Sequence, residues 1–422
     1  MPGGINYKPP TMNQHLKQVD LQGRTEKFSG RVALFKKFMA AQTLTYKRTI
    51  VSAAGREVVV ADPFTGRRHS MLMFASNNYL GLANHPYVNA FVKKTIDAFG
   101  TGIGGPPLLN GYIKLIAQVE ERLAAFKQHE AAIVFSSGFM ANLGATGALA
   151  EHNDIIIYDE LSHASLYDGL RLTKAKCISF LHNDTSQLEL LLQNYQRHDG
   201  SVFVYTEGVF SMDGDTAPLG VISILCKKYN AQLIVDDAHG TGVIGENGGG
   251  TAAAFHCVKD VAVGMGTFSK VFATCGGFLT ASEDVIEYIR YHARSYIFSA
   301  SVPPPVAATV LAGLDVMEQE PWHRQQLLDN AGYAIAQLTP FGLYAPPHAA
   351  IITLQIPRGM DIRRAALLYH EQDIFINPVE YPAVPVHKQR FRISVMSDHT
   401  KEDINKLAAV TASIWQNPQA YA

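Results

Sequence analysis

The sequence predicts an α/β fold, with a mostly parallel sheet covered by helices on both faces and a smaller α+β domain after it. Three observations carry this reading. Between Ala131 and Met265, short apolar runs alternate with helical segments, the rhythm of parallel strands joined by crossover helices. Polar residues collect just beyond the C-terminal ends of those runs, where open α/β sheets bind ligands. After Pro305 the rhythm changes to two long helical segments, followed by short strands among helices.

The 422 residues suffice for two or three domains. We divide them into an N-terminal segment (1–60), a large domain (61–305) and a small C-terminal domain (306–422). An apolar fraction of 47% and a charged fraction of 17% are globular values. A formal net charge of -1 leaves no basic face for nucleic acid. The N-terminus lacks the basic-then-apolar pattern of a signal peptide. Ser295 to Leu314 is uncharged, but Pro303-Pro304-Pro305 and its hydroxyls predict a loop leading into a buried helix instead of a membrane span. Cys177, Cys226, Cys257 and Cys275 have no metal-like spacing and fit reduced thiols in a cytoplasmic enzyme.

In chain order, Met1 to about Arg24 is a polar arm with Pro9-Pro10. Phe28 to Tyr46 carries apolar residues at helical spacing, a helix lying on something such as a partner subunit. Val51–Val60 and Met71–Ala75 read as strands around a turn at Gly66. Ser76 to Leu82 is a polar turn, Pro86–Phe99 a helix, and Gly100 to Gly105 a glycine-rich stretch without a phosphate-loop fingerprint. Leu115–His129 is helical and Ala131–Phe135 is a buried strand. That strand ends at Ser136-Ser137-Gly138-Phe139, where the helix Met140–Leu149 begins. A strand, a Ser-Gly turn and a helix N-terminus can together bind an anion.

The unit then repeats. Strands are expected at Asp154–Tyr158, Cys177–Leu181, Val202–Tyr205, Leu233–Val235 and Val261–Met265, with helices at Ser165–Leu172, Ser186–Tyr195 and Val221–Tyr229. His163, Asp236, His239 and Lys270 fall just beyond four strand ends. No third ligand has metal spacing beside Asp236 and His239, so no metal is expected there. Beyond Pro305 we expect helices to Glu320 and over Arg324–Leu338. Then come strand Ile351–Ile356, helix Ile362–Glu371, strands Ile374–Ile376 and Phe391–Met396, and helix Lys401–Trp415.

The stretch Gly264-Met265-Gly266-Thr267-Phe268-Ser269-Lys270 places one lysine after a buried strand, with two hydroxyls that suit a phosphate. It reads either as a Schiff-base lysine for pyridoxal phosphate (PLP) or as a lysine snorkelling from a loop. Arg392, in its strand, suits a bidentate grip on a carboxylate or a plain surface position.

Six motifs in order then carry a family resemblance: Ser76 to Leu82, Ser137-Gly138-Phe139, His163-Ala164-Ser165, Asp236-Asp237-Ala238-His239, Gly266 to Lys270, and Arg392 to Thr400. From Val51 onward the chain resembles the α-oxoamine synthases, which are fold type I PLP-dependent transferases with a seven-stranded sheet. The resemblance implies the following roles. Lys270 carries the cofactor and later moves the substrate's Cα proton. Asp236 pairs with the pyridine nitrogen, His239 bonds the phenolic oxygen, and His163 stacks on the ring. Thr267 with Ser137, Gly138 and Phe139 holds the phosphate, and Ser299 or Ser301 reaches the phosphate of a neighbouring subunit. Arg392 binds the amino-acid carboxylate, with Asn77 and Tyr79 near the substrate. It also implies amino-acid and acyl-CoA substrates and a homodimer with its sites between subunits, and it leaves peripheral membrane contact open.

Within the family, Thr267 to Lys270, Phe298 to Ser301, and Asn377-Pro378-Val379 with Pro382 to Pro385 look like the serine palmitoyltransferase branch. The implied reaction is condensation of serine or a similar small amino acid with a long-chain acyl-CoA, losing CO2. A glycine C-acetyltransferase or 8-amino-7-oxononanoate synthase type of activity, an aminotransferase on the same frame, and a non-catalytic partner subunit are the alternatives. Two departures bear on substrate choice. Gly105-Pro106-Pro107 stands where the family commonly shows Gly-Ser-Arg or Gly-Thr-Arg, and Ile116 where it often carries His. Both are expected to alter the substrate channel.

Overall fold

The computed structural model describes residues 46–345, 349–381 and 383–416, together with residues 32, 33 and 36, which are helical. The expected arm, most of the helix over Phe28–Tyr46, and Pro382 lie outside the described residues.

Three strands open the described chain: β1 (Thr49–Ile50), β2 (Glu57–Ala61) and β3 (Arg68–Met73). The central sheet follows, with β4 (Ala131–Phe135), β5 (Ile155–Asp159), β6 (Lys176–Phe180), β7 (Val202–Glu207), β8 (Gln232–Asp236), β9 (Val261–Thr267) and β10 (Gly277–Ala281). Its seven strands run in the order β4-β10-β9-β8-β7-β5-β6. The pairs from β6 to β9 are parallel, and β10 runs antiparallel to both β9 and β4.

The side-chain period of two divides each strand between two cores. On one face Ile156, Tyr205, Ile234 and Met265 pack with Ala141, Ala145 and Ala148 of the helix Gly138–Leu149. On the other, Ile155, Ile157, Val204 and Val235 meet Leu188 of the helix Thr185–Tyr195 and Ile222 of the helix Leu219–Lys228. Because both faces are covered, β7 is buried at every position and reads as one apolar run until Glu207.

β10 and the helix Glu283–His292 were not expected. β10 returns antiparallel after a turn, with no crossover helix, so the strand–helix alternation that marks its neighbours is missing there. Gly277 is required by packing, since a Cβ would lie 2.5 Å from the backbone of Gly138.

The C-terminal part adds β11 (Ile351–Gln355), β12 (Ile374–Phe375), β13 (Asn377–Val379) and β14 (Arg390–Ser394). β11, β14 and β13 form a three-stranded antiparallel sheet, and β12 pairs parallel with β3 in the four-stranded sheet β1-β2-β3-β12. The strands near the N-terminus therefore share a sheet with the C-terminal part, and the boundary expected at residue 60 falls inside β2. The helix Pro304–Gln319 starts at the expected proline run and buries Ala308, Ala312 and Leu314. Among the described residues, no helix is long and apolar enough to cross a membrane, and the four cysteines are unpaired.

Candidate active site

The C-terminal ends of β7, β8 and β9 place Glu207, Asp236 and Thr267 side by side, with Glu207 opposite Asp236 in the β7–β8 register. Together with Ser136–Phe139, His163, His239 and Lys270 they line one cavity of about 390 Å³. The structure thus brings together residues that span Ser136 to Lys270 and that the sequence places at separate strand ends.

Lys270 sits in a turn held by aromatic anchors. Phe268 and Phe272 are fully buried on either side of it, and Phe268 stacks on Phe278 with centroids 5.6 Å apart. The backbone of Phe268 closes the turn, donating to the Gly276 carbonyl at 2.9 Å. No hydrogen bond or salt bridge among the described residues engages the Lys270 amine. Burial pulls that amine down to about 8, against the opposing pull of the Asp236 and Glu207 carboxyls.

Asp236 is held from the helix Gly138–Leu149. Asn142 Nδ2 donates to Asp236 Oδ2 at 2.7 Å and to Ser165 Oγ at 2.8 Å. Ser165 in turn meets His163 Nδ1 at 2.8 Å, so one chain of bonds runs from the Asp236 carboxylate to the His163 ring. His163 caps the helix Ala164–Leu172 and stands edge-on to Phe139 at 6.3 Å. Burial lowers the His163 pKa, partly offset by Asp236, so the ring is neutral and available as a flat surface.

The turn after β4 is built as an anion cradle. Ser137 is the N-cap, its Oγ accepting from Met140 N at 3.1 Å, so other backbone N–H groups of the first turn remain open at the positive helix end. A Cβ on Gly138 would lie 3.0 Å from Thr267, so a side chain here would have to push Thr267 back by a few tenths of an ångström. Thr267 Oγ1 lies 2.9 Å from Ser269 Oγ and donates to the Gly276 carbonyl at 3.1 Å.

His239 is fully enclosed. Burial, with Lys270 and Arg392 nearby, holds its pKa well below the usual range. Its Nδ1 lies 2.8 Å from the Tyr79 hydroxyl. Asn77 Oδ1 faces four donors: Tyr79 at 3.1 Å, Arg392 Nη1 at 3.2 Å, Arg392 Nη2 at 3.1 Å and Ser394 Oγ at 3.3 Å. An amide oxygen has two lone pairs. With the guanidinium occupying them, Tyr79 donates to His239 Nδ1, which puts the ring proton on Nε2. Arg392 Nε also donates to the Ser211 carbonyl at 2.6 Å. Arg392 is buried, yet among the described residues no carboxylate pairs with it.

These features fit PLP. The cradle suits a phosphate, Asp236 a ring nitrogen, His163 a ring face, and the unengaged buried amine a carbonyl carbon. One oxygen of the buried Glu207, Oε1, also has no partner.

Of the expected site residues, Ser137, Gly138, Phe139, His163, Asp236, His239, Thr267 and Lys270 line the cavity. Asn77, Tyr79 and Arg392 form the layer behind His239 and Ser211. Ser299, expected to reach a neighbouring subunit, lies 3.1 Å from Ser136 of its own chain. Ser301 does not line the cavity; its backbone N donates to the Gly105 carbonyl and its Oγ abuts Gly111. Ile116 is 3% exposed in a core with Phe268 and Phe278, so it is a packing position and not a channel residue as expected. Pro107 opens a tight turn through Gly111 that leaves Leu109 exposed. Asn142, Glu207 and Ser211 were not anticipated. Glu207 obeys the same strand-end rule that singled out Asp236. Asn142 is a lone amide in an otherwise apolar helix, a signal too weak to assign.

A family model for class I and II aminotransferases matches residues 69–410. A serine palmitoyltransferase from Bacteriovorax stolpii is 39% identical over 357 residues, 84% of this chain and 85% of the relative. An 8-amino-7-oxononanoate synthase from Geobacter sulfurreducens is 37% identical over 373 residues, covering 87% and 93%. A solved structure of serine palmitoyltransferase with PLP superposes with a TM-score of 0.86 at 30% identity, over 94% of this chain and 98% of that one.

Proposed function

The chain belongs to the α-oxoamine synthases, PLP-dependent acyl-transferring enzymes of the class I and II aminotransferase family, and from that premise we propose that it condenses serine, or a similarly small amino acid, with a long-chain acyl-CoA. The products are an α-amino ketone, CoA and CO2. The observation that carries the acyl-chain reading is an apolar groove beside the phosphate turn. Gly104–Pro106, Leu108, Leu109 and Ile297–Ala300 enclose about 510 Å³, with Leu109 82% and Phe298 74% exposed. Such a surface suits an alkyl chain, or the second subunit of a homodimer that would complete the channel.

PLP, when bound, supplies an electron sink that stabilises a carbanion at the amino acid's Cα. This chain's residues do the rest. Lys270 would hold the cofactor, and its Nζ would take and return the substrate's Cα proton. An amine drawn down to about 8 is well placed for both jobs near neutral pH. Asp236 keeps a proton on the ring nitrogen, and the Asn142–Ser165 chain fixes its direction. His163 covers one ring face. Ser137, Gly138, Phe139 and Thr267 receive the phosphate, with Ser299 beside them. His239 would hold the phenolic oxygen. Arg392, a buried cation with no counter-charge among the described residues, would receive the amino-acid carboxylate, with Asn77 and Tyr79 steadying it.

The second reading is 8-amino-7-oxononanoate synthase-like use of another small amino acid and a shorter acyl thioester. It is favoured by relatives of that type at nearly the same identity. A matrix of amino acids against acyl-CoA lengths, read by CoA release and product mass, separates the two. Serine with acyl chains of about palmitoyl length should give the highest kcat/KM. A preference for short acyl donors would overturn the long-chain reading.

A further inference from the structure

Outside the catalytic cavity, we propose that His85, Glu320 and His323 form a site for one divalent transition-metal ion, with zinc the best match to the donors. Their ligand atoms all lie within 4.8 Å of one another, the single such grouping among the described residues. His85 Nε2 is 3.5 Å from Glu320 Oε1, and His323 Nε2 is 3.3 Å from Glu320 Oε2. Ligands bound to zinc at about 2.0–2.1 Å in a tetrahedron stand roughly 3.3 Å apart, and each imidazole nitrogen stands close to that distance from one of the two Glu320 oxygens. Two imidazoles and one carboxylate are a common zinc donor set, with a fourth position left for water.

A second observation points the same way. His323 is 8% exposed; among the described residues its Nδ1 has no hydrogen-bond partner and its Nε2 meets only the Glu320 carboxylate, in poor hydrogen-bond geometry, while His85 Nδ1 is also buried and unpartnered. Leaving such groups buried and unsatisfied is costly. An ion held by Nε2 of both rings would give His323 Nε2 a well-directed partner, while each Nδ1, on the other side of its ring, stands outside the ion's reach.

The geometry is fixed before any ion arrives. His85 precedes Pro86 at the start of the helix Pro86–Phe99, and Glu320 precedes Pro321 at the elbow between the helices Pro304–Gln319 and Trp322–Leu338. Both prolines hold the backbone φ of their turns. The His323 ring is stacked on Trp322 at 3.6 Å and stands nearly perpendicular to His85. A cavity of about 440 Å³ reaches Glu320 and His323, giving an entry path and room for the water. Its wall includes Glu246 and Glu318, which favour a cation, and Arg324, which limits the excess negative charge.

An ion here would tie two parts of the chain that meet only in the fold. One is the segment that follows Asn77 and Tyr79; the other is the elbow where the chain leaves the central sheet for the C-terminal part. The expected consequence is mechanical, a brace on the Asn77–Tyr79 segment.

The test uses the full-length holoenzyme, stripped with a chelator and dialysed. Zinc titrated against a chromogenic chelator should bind at one equivalent per chain, in the micromolar range or tighter, and should raise the melting temperature. His323→Ala and His85→Ala, on separate elements, should each weaken binding at least about tenfold and abolish the thermal shift, while Lys270→Ala should change neither. PLP loading and circular dichroism report whether each variant folds. Uptake that is equal in the wild type and both histidine variants, or wild-type affinity weaker than about 100 μM, would overturn the site. Should one variant fail to fold, the other decides.

Discussion

Asp236 and Asp237 are adjacent in sequence and leave β8 for opposite worlds. Asp237 is 2% exposed and saturated. Lys127 Nζ donates to it at 2.7 Å, Thr251 Oγ1 at 2.6 Å and Thr251 N at 3.2 Å, and Lys127 also reaches the Gly249 carbonyl at 2.8 Å. Gly250 is glycine because a Cβ would fall 1.7 Å from Asp237 Oδ2. Among the described residues Asp236 receives Asn142 and its own turn's Ala238 N alone, and it opens on the cavity. A carboxylate that the protein satisfies completely is part of the fold. One held in place with capacity to spare is available for chemistry.

The largest expected effect lies on the cavity side. Lys270→Ala should lower CoA release by at least about 10²–10⁴-fold, the range for losing a positioned proton-transfer group. It should also abolish the mass increase that borohydride treatment leaves on the peptide carrying residue 270. With the cofactor removed from both, its melting temperature should stay near that of the wild type, because among the described residues the amine has no partner to lose. Retained labelling would mean that another lysine holds the cofactor. On the Asp237 side the pattern should invert. Lys127→Met strands a buried carboxylate and should cost about 3–5 kcal/mol. Folded enzyme that survives should keep kcat. Loss of kcat at unchanged stability would erase the distinction between the two aspartates.

A smaller effect concerns pH. With its amine drawn down to about 8, Lys270 is protonated below that value and cannot attack a carbonyl. Cofactor capture by the apo chain should therefore rise about tenfold per pH unit up to about 8 and then level off. Stopped-flow absorbance would show it, and a rise that continues past pH 10 would mean that the cavity does not desolvate the amine.

The sequence made the parallel part of the sheet legible because burial on both faces leaves continuous apolar runs, and because every crossover needs a helix. It also made the strand-end chemistry legible, since Asp236, His239, Thr267 and Lys270 each follow such a run within a few residues. It was silent where partners come from far away. β3 pairs with β12 three hundred residues later, and β10 lacks a crossover. Ile116 belongs to the same buried core as Phe268 and Phe278, which no spacing reveals. His85 and His323 lie 238 positions apart and meet only because the helices Pro86–Phe99 and Pro304–Gln319 run together.

Glu207 tests the comparison most finely, because it is a third carboxyl between the two cases. It is buried like Asp237, at 4% exposure, yet it lines the cavity like Asp236 and keeps one oxygen without a partner. Burial, reinforced by the Asp236 charge, pushes its carboxyl well above the usual range, while Lys270 and the backbone N–H of His163 pull the other way. Burial therefore favours its neutral form, in which it would keep a second negative charge from competing with Asp236. Glutamine has the same shape and the same neutrality. Glu207→Gln should accordingly keep kcat/KM within about threefold, an effect below 1 kcal/mol. Glu207→Ala should do worse, since it removes the acceptor for the His163 backbone and leaves a void under the ring-stacking residue. If glutamine proves as damaging as alanine, the carboxyl works as an anion or passes a proton. The division between structural and chemical carboxylates would then run on the other side of Glu207.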